Sequence, residues 1–157
     1  KSAMAKNICI SVKIPGREEL SLKVKLDQSG KIISAQLQGI GGPELLDLID
    51  QWRPLLWGAL QMVPLPTGTT TGALMLREVL LRAQGLWSPP YSNEKLCYCR
   101  SVSTQIVESA IRIGAYTTEK ISRLTSAGTA CGTCVPDTEE LIAYFLNPQA
   151  ASLTKAS

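Results

Sequence analysis

Apolar positions recur first with a period of two and later with a period near 3.6, so the chain begins as strands and continues as helices. Leu20, Leu22, Val24 and Leu26 alternate with Ser21, Lys23 and Lys25, the pattern of a strand with one buried face. Residues 8–14 form a strand before it. Residues 31–38 form one after it, beyond the turn signal Asp27-Gln-Ser-Gly30, with Ile33, Ala35 and Leu37 on one face. A three-stranded antiparallel meander is the natural reading. Past Gly39-Ile-Gly-Gly42, Pro43 is placed to open a helix along which Leu45, Leu48, Ile49 and Trp52 recur. Pro54 should kink or end it, leaving residues 55–60 as a further turn or a second helix. Residues 63–72 read as a loop, and residues 73–84 as a helix stopped by Gly85. One sheet face covered by two or three helices makes residues 5–86 an α+β unit.

Residues 86–93, with Pro89-Pro90, read as a linker to a second unit at 94–147. There, residues 101–113 are expected to be a helix with Val102, Ile106, Ala110 and Ile113 on one stripe, closed by Gly114. Thr117-Thr118 offers an N-cap for a short helix through Leu124. A loop of small residues follows at 126–133. Pro136 starts a last helix through Leu146, with Leu141, Ile142 and Phe145 apolar. The tail after Asn147 is expected to fray. The fold class is therefore α+β: an antiparallel sheet with two or three helices, then a small all-helical domain.

Composition narrows the classes of function. No run of about 18 apolar residues occurs, so no membrane span is expected. The net charge of +3 is modest and scattered, which argues against a nucleic-acid partner. Residues 1–95 hold 11 basic and 8 acidic side chains and residues 96–146 hold 4 and 5, so the positive excess lies outside the second unit. Residues 1–7 lack an apolar signal-peptide core. A cytoplasmic, reducing compartment is the expectation, where paired cysteines serve metals or catalysis rather than structural disulfides.

The second unit carries the chemistry. Cys97-Tyr-Cys99 and Cys131-Gly-Thr-Cys134 are separated by 31 residues, and the chain has no histidine. Four thiolates in two local pairs suit an iron–sulfur cluster or a structural zinc. Zinc sites usually space both pairs two to four residues apart, so the single residue between Cys97 and Cys99 favours the cluster. A Cys131/Cys134 redox dithiol would leave Cys97 and Cys99 unexplained. Without histidine, a Rieske centre and Ser-His-Asp or Cys-His catalysis within one chain are excluded, and no enzyme activity is expected. Small residues in Gly128-Thr-Ala-Cys-Gly-Thr-Cys134 let backbone N–H groups approach the sulfurs, and the following helix N-terminus favours negative charge. The fifth cysteine, Cys9, sits in an apolar strand-like run and reads as a buried small hydrophobe.

Residues 96–146 resemble the bacterioferritin-associated-ferredoxin (BFD) type [2Fe-2S] domain, also found within NifU proteins and nitrite reductases. The matching positions are Cys97-Tyr-Cys99, Val102, Ile106, Ala110-Ile111, Gly114, Thr117, Ile121, Thr125, Ala127-Gly-Thr-Ala-Cys-Gly-Thr-Cys134 and Pro136. The resemblance implies a compact helical fold holding a [2Fe-2S] cluster on Cys97, Cys99, Cys131 and Cys134. More weakly, the first half resembles the NifU/IscU scaffold, with Gly39-Ile-Gly41 where that family has Gly-Cys-Gly and Thr70-Thr71 near another of its cysteines. Without those thiolates this half cannot assemble a cluster as the scaffold does.

The readings that follow are an electron carrier or redox adaptor docking a redox partner protein, a NifU-related factor serving an assembly or acceptor protein, and a metal-stabilised interaction module. Trp52, Trp57 and Trp87 are expected to pack the first core or cover the linker, a docking surface being the alternative. Arg100 and Arg112 flank the cysteine segment and read as solvated helix charges. The loop Thr67-Gly-Thr-Thr-Thr-Gly72 lacks the Gly-Lys-Ser/Thr element of a P-loop and reads as plain.

Overall fold

The computed structural model describes residues 5–90, 95–97 (Lys95 and Cys97 by backbone alone), 102–125, 127 and 135–148. The chain divides into two compact units, Lys1–Trp87 and Ser88–Ser157. Its architecture is α+β.

In the first unit, β1 (Lys6–Ile14), β2 (Glu18–Leu26) and β3 (Ile32–Ile40) form an antiparallel sheet in the order β1-β2-β3. Register follows the alternation: Ile10 pairs with Leu22 and Leu22 with Leu37, and Val12 pairs with Leu20. Leu20, Leu22, Val24, Val12, Ile14 and Leu37 are buried under α1 (Pro43–Trp52) and α2 (Thr71–Ala83). Each such side chain contributes about 1.5–3 kcal/mol by leaving water. The opposite face carries Asn7, Ser11, Lys13, Lys23, Lys25, Ser34 and Gln36, so one side of the sheet is wet.

Two expectations for this unit are corrected, and a third is narrowed. Cys9 is exposed, because it pairs with Lys23 on the polar face while Ile8 and Ile10 take the core parity. Ile33 is 57% exposed: the register passes from Lys25↔Ser34 to Leu26↔Ile32, so a bulge skips Ile33 and puts Ile32 opposite the core residue Leu26. Of the two readings for residues 55–60, a continuing turn rather than a second helix is what forms. After α1 only the 3-10 turn Arg53–Leu55 continues, and Gly58 at φ 73° redirects the chain along β3. There the Ile32 N–H donates to the Gly58 carbonyl at 2.7 Å and the Leu60 N–H to the Gly30 carbonyl at 3.1 Å. A second 3-10 turn, Leu60–Met62, leads away from this pairing.

Helix α2 is buried nearly all round. The Gln84 side-chain amide donates to the Leu60 carbonyl, and the buried Arg77 guanidinium donates to the carbonyls of Pro66 and Gly68. Trp52 donates its indole N–H to the Pro64 carbonyl, and Arg82 lies over the Trp87 ring. Those two tryptophans pack within the unit as expected, whereas Trp57 is 73% exposed.

In the second unit, β4 (Lys95–Cys97) and β5 (Val102–Ser103) form a short antiparallel ribbon ahead of α3 (Thr104–Arg112), α4 (Thr118–Thr125) and α5 (Val135–Leu146). The expected first helix therefore starts later than residue 101. Its buried stripe is Thr104, Val107, Ala110 and Ile111, and Ile106, expected inside, is 54% exposed. The buried stripe is the one that packs on α4, α5 and the β4–β5 ribbon. Leu141, Ile142 and Phe145 are buried as the periodicity implies. The Tyr144 hydroxyl accepts from the Ser88 N–H, tying the start of this unit to its last helix. The fraying expected after Asn147 concerns residues that, beyond Pro148, lie outside the described set.

Candidate metal-cluster site

The first cysteine pair begins in backbone that is already fixed. Cys97 closes β4 opposite Val102, and Val102 is buried one residue before the cap of α3. That cap is Ser103, whose Oγ accepts the Ile106 N–H at 3.1 Å, satisfying one of the free donors of the first turn. Cys99, Cys131 and Cys134 lie outside the described residues, as does Arg100. Among the described residues no group of three or more metal-ligating side chains occurs.

What is described are the walls from which the second pair is strung. Helix α4 starts at a Thr117 cap, whose Oγ1 accepts the Lys120 N–H, and buries Ile121 against the domain core. At its C-terminal end Thr125 Oγ1 donates to the Ile121 carbonyl at 2.7 Å and accepts the Ala127 N–H at 3.1 Å. Ser122 Oγ donates to the Ala127 carbonyl. Ala127, 3% exposed, is thus held at both its N–H and its C=O, four residues before Cys131. Helix α5 begins at Val135, the residue after Cys134. Each cysteine pair is therefore followed closely by a helix N-terminus, which carries a partial positive charge and free N–H donors.

Arg112 is corrected. It is 4% exposed in the last turn of α3, with its guanidinium 5.4 Å from the Phe145 ring centroid. Eight residues of helix separate it from Thr104, about 12 Å at 1.5 Å per residue. It is a packing residue in the last turn of α3, not a solvated charge. Sequence reasoning also passed over Ser122. Its only signal was its position one turn before a Ser-Ala-Gly-Thr string, where a hydroxyl can reach the end of its own helix.

The donor set fits one class of group. Four thiolates, no imidazole and two nearby helix N-termini suit a soft, net-negative metal cluster better than a hard cation. The second unit is thus a small helical metal-cluster module appended to an α+β unit. More particularly, residues 96–144 match the family model described as "BFD-like [2Fe-2S] binding domain", so the cofactor is a [2Fe-2S] cluster. The chain is also similar to the "Assimilatory nitrate reductase electron transfer subunit" of Bacillus subtilis (strain 168), 34% identical over 59 residues. That stretch is 37% of this chain and 8% of the relative, so the chain spans only a small part of that protein's length. No solved structure matches. No helix among the described residues is long and apolar enough to cross a membrane.

Proposed function

We propose that this protein is a one-electron carrier or redox adaptor whose second unit holds a [2Fe-2S] cluster on Cys97, Cys99, Cys131 and Cys134, and that it is not an enzyme. The observation that carries the reading is the match of residues 96–144 to a [2Fe-2S] binding domain, a stretch that contains all four of these cysteines in sequence. When bound, such a cluster supplies reversible one-electron chemistry. The chain's own part is to hold four thiolates deprotonated and to set the local field. The N-termini of α3 and α5 favour the anionic state, and backbone N–H groups near sulfur raise a reduction potential. The similarity to an electron transfer subunit supports transfer to a protein partner, and a partner face of positive charge would be steered toward residues 96–146, which hold 4 basic and 5 acidic side chains besides the four thiolates.

The test is an anaerobic visible and EPR spectrum with iron and acid-labile sulfide counts, on the whole chain and on Cys131→Ser. The expected result is two irons and two sulfides per chain, a reversible one-electron reduction, and loss of the bands in the variant. Zinc in place of iron, or a spectrum untouched by the substitution, refutes the reading. Transfer of the cluster itself to an acceptor apo-protein faster than transfer of electrons would favour the assembly or delivery reading instead.

A further inference from the structure

We propose that Ser122 and Thr125 are positioning residues for the cluster: by clamping both backbone groups of Ala127 to the end of α4, they fix where the Cys131–Cys134 string begins. The proposal rests on the ligand assignment above. Three observations lead to it. The hydroxyls of Ser122 and Thr125 are one helical turn apart, and both turn back onto the same residue. Thr125 Oγ1 uses its proton on the Ile121 carbonyl, which leaves its lone pairs for the Ala127 N–H, so the two roles do not compete. Ala127 is buried, so both of its peptide groups would otherwise lose water without compensation.

The consequence is geometric. Helix α4 is anchored by Ile121, which is fully buried, and the clamp transmits that fixed position to a segment otherwise composed of Gly, Thr and Ala. Small residues impose little side-chain packing of their own, so backbone tethers must define where such a segment starts. Only three residues lie between Ala127 and Cys131, a reach of at most about 14 Å over four Cα steps, so play at Ala127 passes to the thiolates. A looser start gives the cluster more ways to lose a ligand and changes the set of N–H groups beside its sulfurs.

The experiment uses the whole holo-protein and compares Ser122→Ala, Thr125→Val and the double variant with Thr125→Ser and Thr117→Ala. Thr117→Ala removes the cap at the opposite end of α4 and serves as a control for simple loss of helix stability. Three readouts are taken: the rate at which a chelator bleaches the visible bands, the EPR signal of the reduced protein, and the reduction potential. Each lost hydrogen bond is worth a few-fold, so the Ala and Val variants should bleach about threefold to tenfold faster, and the double variant faster still. Their EPR signal and potential should shift, Thr125→Ser should restore both, and Thr117→Ala should leave both at the wild-type values. Unchanged EPR and potential in Ser122→Ala and Thr125→Val, or an equal effect from Thr117→Ala, overturns the clamp while leaving the cluster assignment intact. A wild-type protein without iron and sulfide overturns both.

Discussion

Glu44 and Gly72 should show a sign reversal. Glu44 sits in the first turn of α1, yet its carboxylate reaches α2, accepting the Gly72 N–H at 3.0 Å and the Thr70 hydroxyl at 2.9 Å. Thr70 itself caps α2 by accepting the Ala73 N–H at 3.2 Å. A Cβ built on Gly72 meets only the Glu44 carboxylate as its nearest neighbours. Gly72 does not have positive φ, so alanine there is otherwise a better helix residue, by about 0.5–1 kcal/mol. Hydrogen bonds to an ionised group contribute about 1.5–3 kcal/mol. Glu44 is largely exposed, which reduces that to about 1–2 kcal/mol. Glu44→Ala should therefore cost about 1–2 kcal/mol. Gly72→Ala displaces the carboxylate but gains propensity, for a net loss of up to about 1 kcal/mol. In the Glu44→Ala background the same Gly72→Ala change should stabilise, by about 0.5–1 kcal/mol. All three tryptophans lie in the first unit, so tryptophan fluorescence in urea follows that unit alone, and the visible bands should be untouched. Two changes that add within about 0.3–0.5 kcal/mol would refute the account, because the mechanism requires them to couple.

Gly39→Ala places a Cβ 2.7 Å from Ile49 Cδ1 and 2.9 Å from the Glu19 carbonyl, and since the backbone atom cannot step aside it should cost about 1–3 kcal/mol by the same fluorescence assay. Arg112→Ala uncovers Phe145 and leaves a gap in the second core, so thermal bleaching should move down by several degrees. Asp27's carboxyl is held below the usual aspartate range by the Ser29 hydroxyl and then by the Lys31 N–H. A lowered folded pKa means that its contribution is present above the unfolded value, about 3.9, and is lost as pH falls through the lower folded value. NMR titration should show the lowered midpoint, and Ser29→Ala should bring it back up.

Strong alternation made the sheet legible. Leu20 to Leu26 could be assigned to a face because every second residue is apolar and β2 is the central strand. The same rule, followed strictly, would have put Cys9 outside, since Ile8 and Ile10 already hold the core parity. The bulge at Ile33 was not legible, because a skipped residue leaves no mark when both Ile32 and Ile33 are apolar. Nor was the β4–β5 ribbon, which is too short to show a period. Arg112 shows the limit of reading charge as exposure: its aliphatic stem and planar head pack on an aromatic ring. At the candidate site, cysteine spacing and the Ala-Gly-Thr string carried the chemistry. The hydroxyl contacts that hold Ala127 depend on three-dimensional closure at the end of α4, which spacing alone does not specify.

The glycines of the first unit bear on how the two proposed roles should be weighed. Gly39 lies beneath Ile49, where a Cβ would meet that side chain, and Gly41 lies where a Cβ would meet Glu18 and Leu45. Both are explained by close packing of β3 and α1 on their neighbours, without any ligand between them. The N–H groups at the mouths of these loops are also occupied: Glu18 accepts from Gly42 at 3.1 Å, and Glu44 accepts from Gly72 at 3.0 Å. A site that builds an anionic cluster needs thiolates and free donors at such positions. Here carboxylates from the same unit hold the donors, and Cys9, the one cysteine of residues 1–87, faces the opposite side of the sheet. Placing a cluster here would bring its negative charge against Glu18 and Glu44, a like-charge contact that raises its cost. That chemistry favours use of a cluster held in the second unit over construction of one in the first.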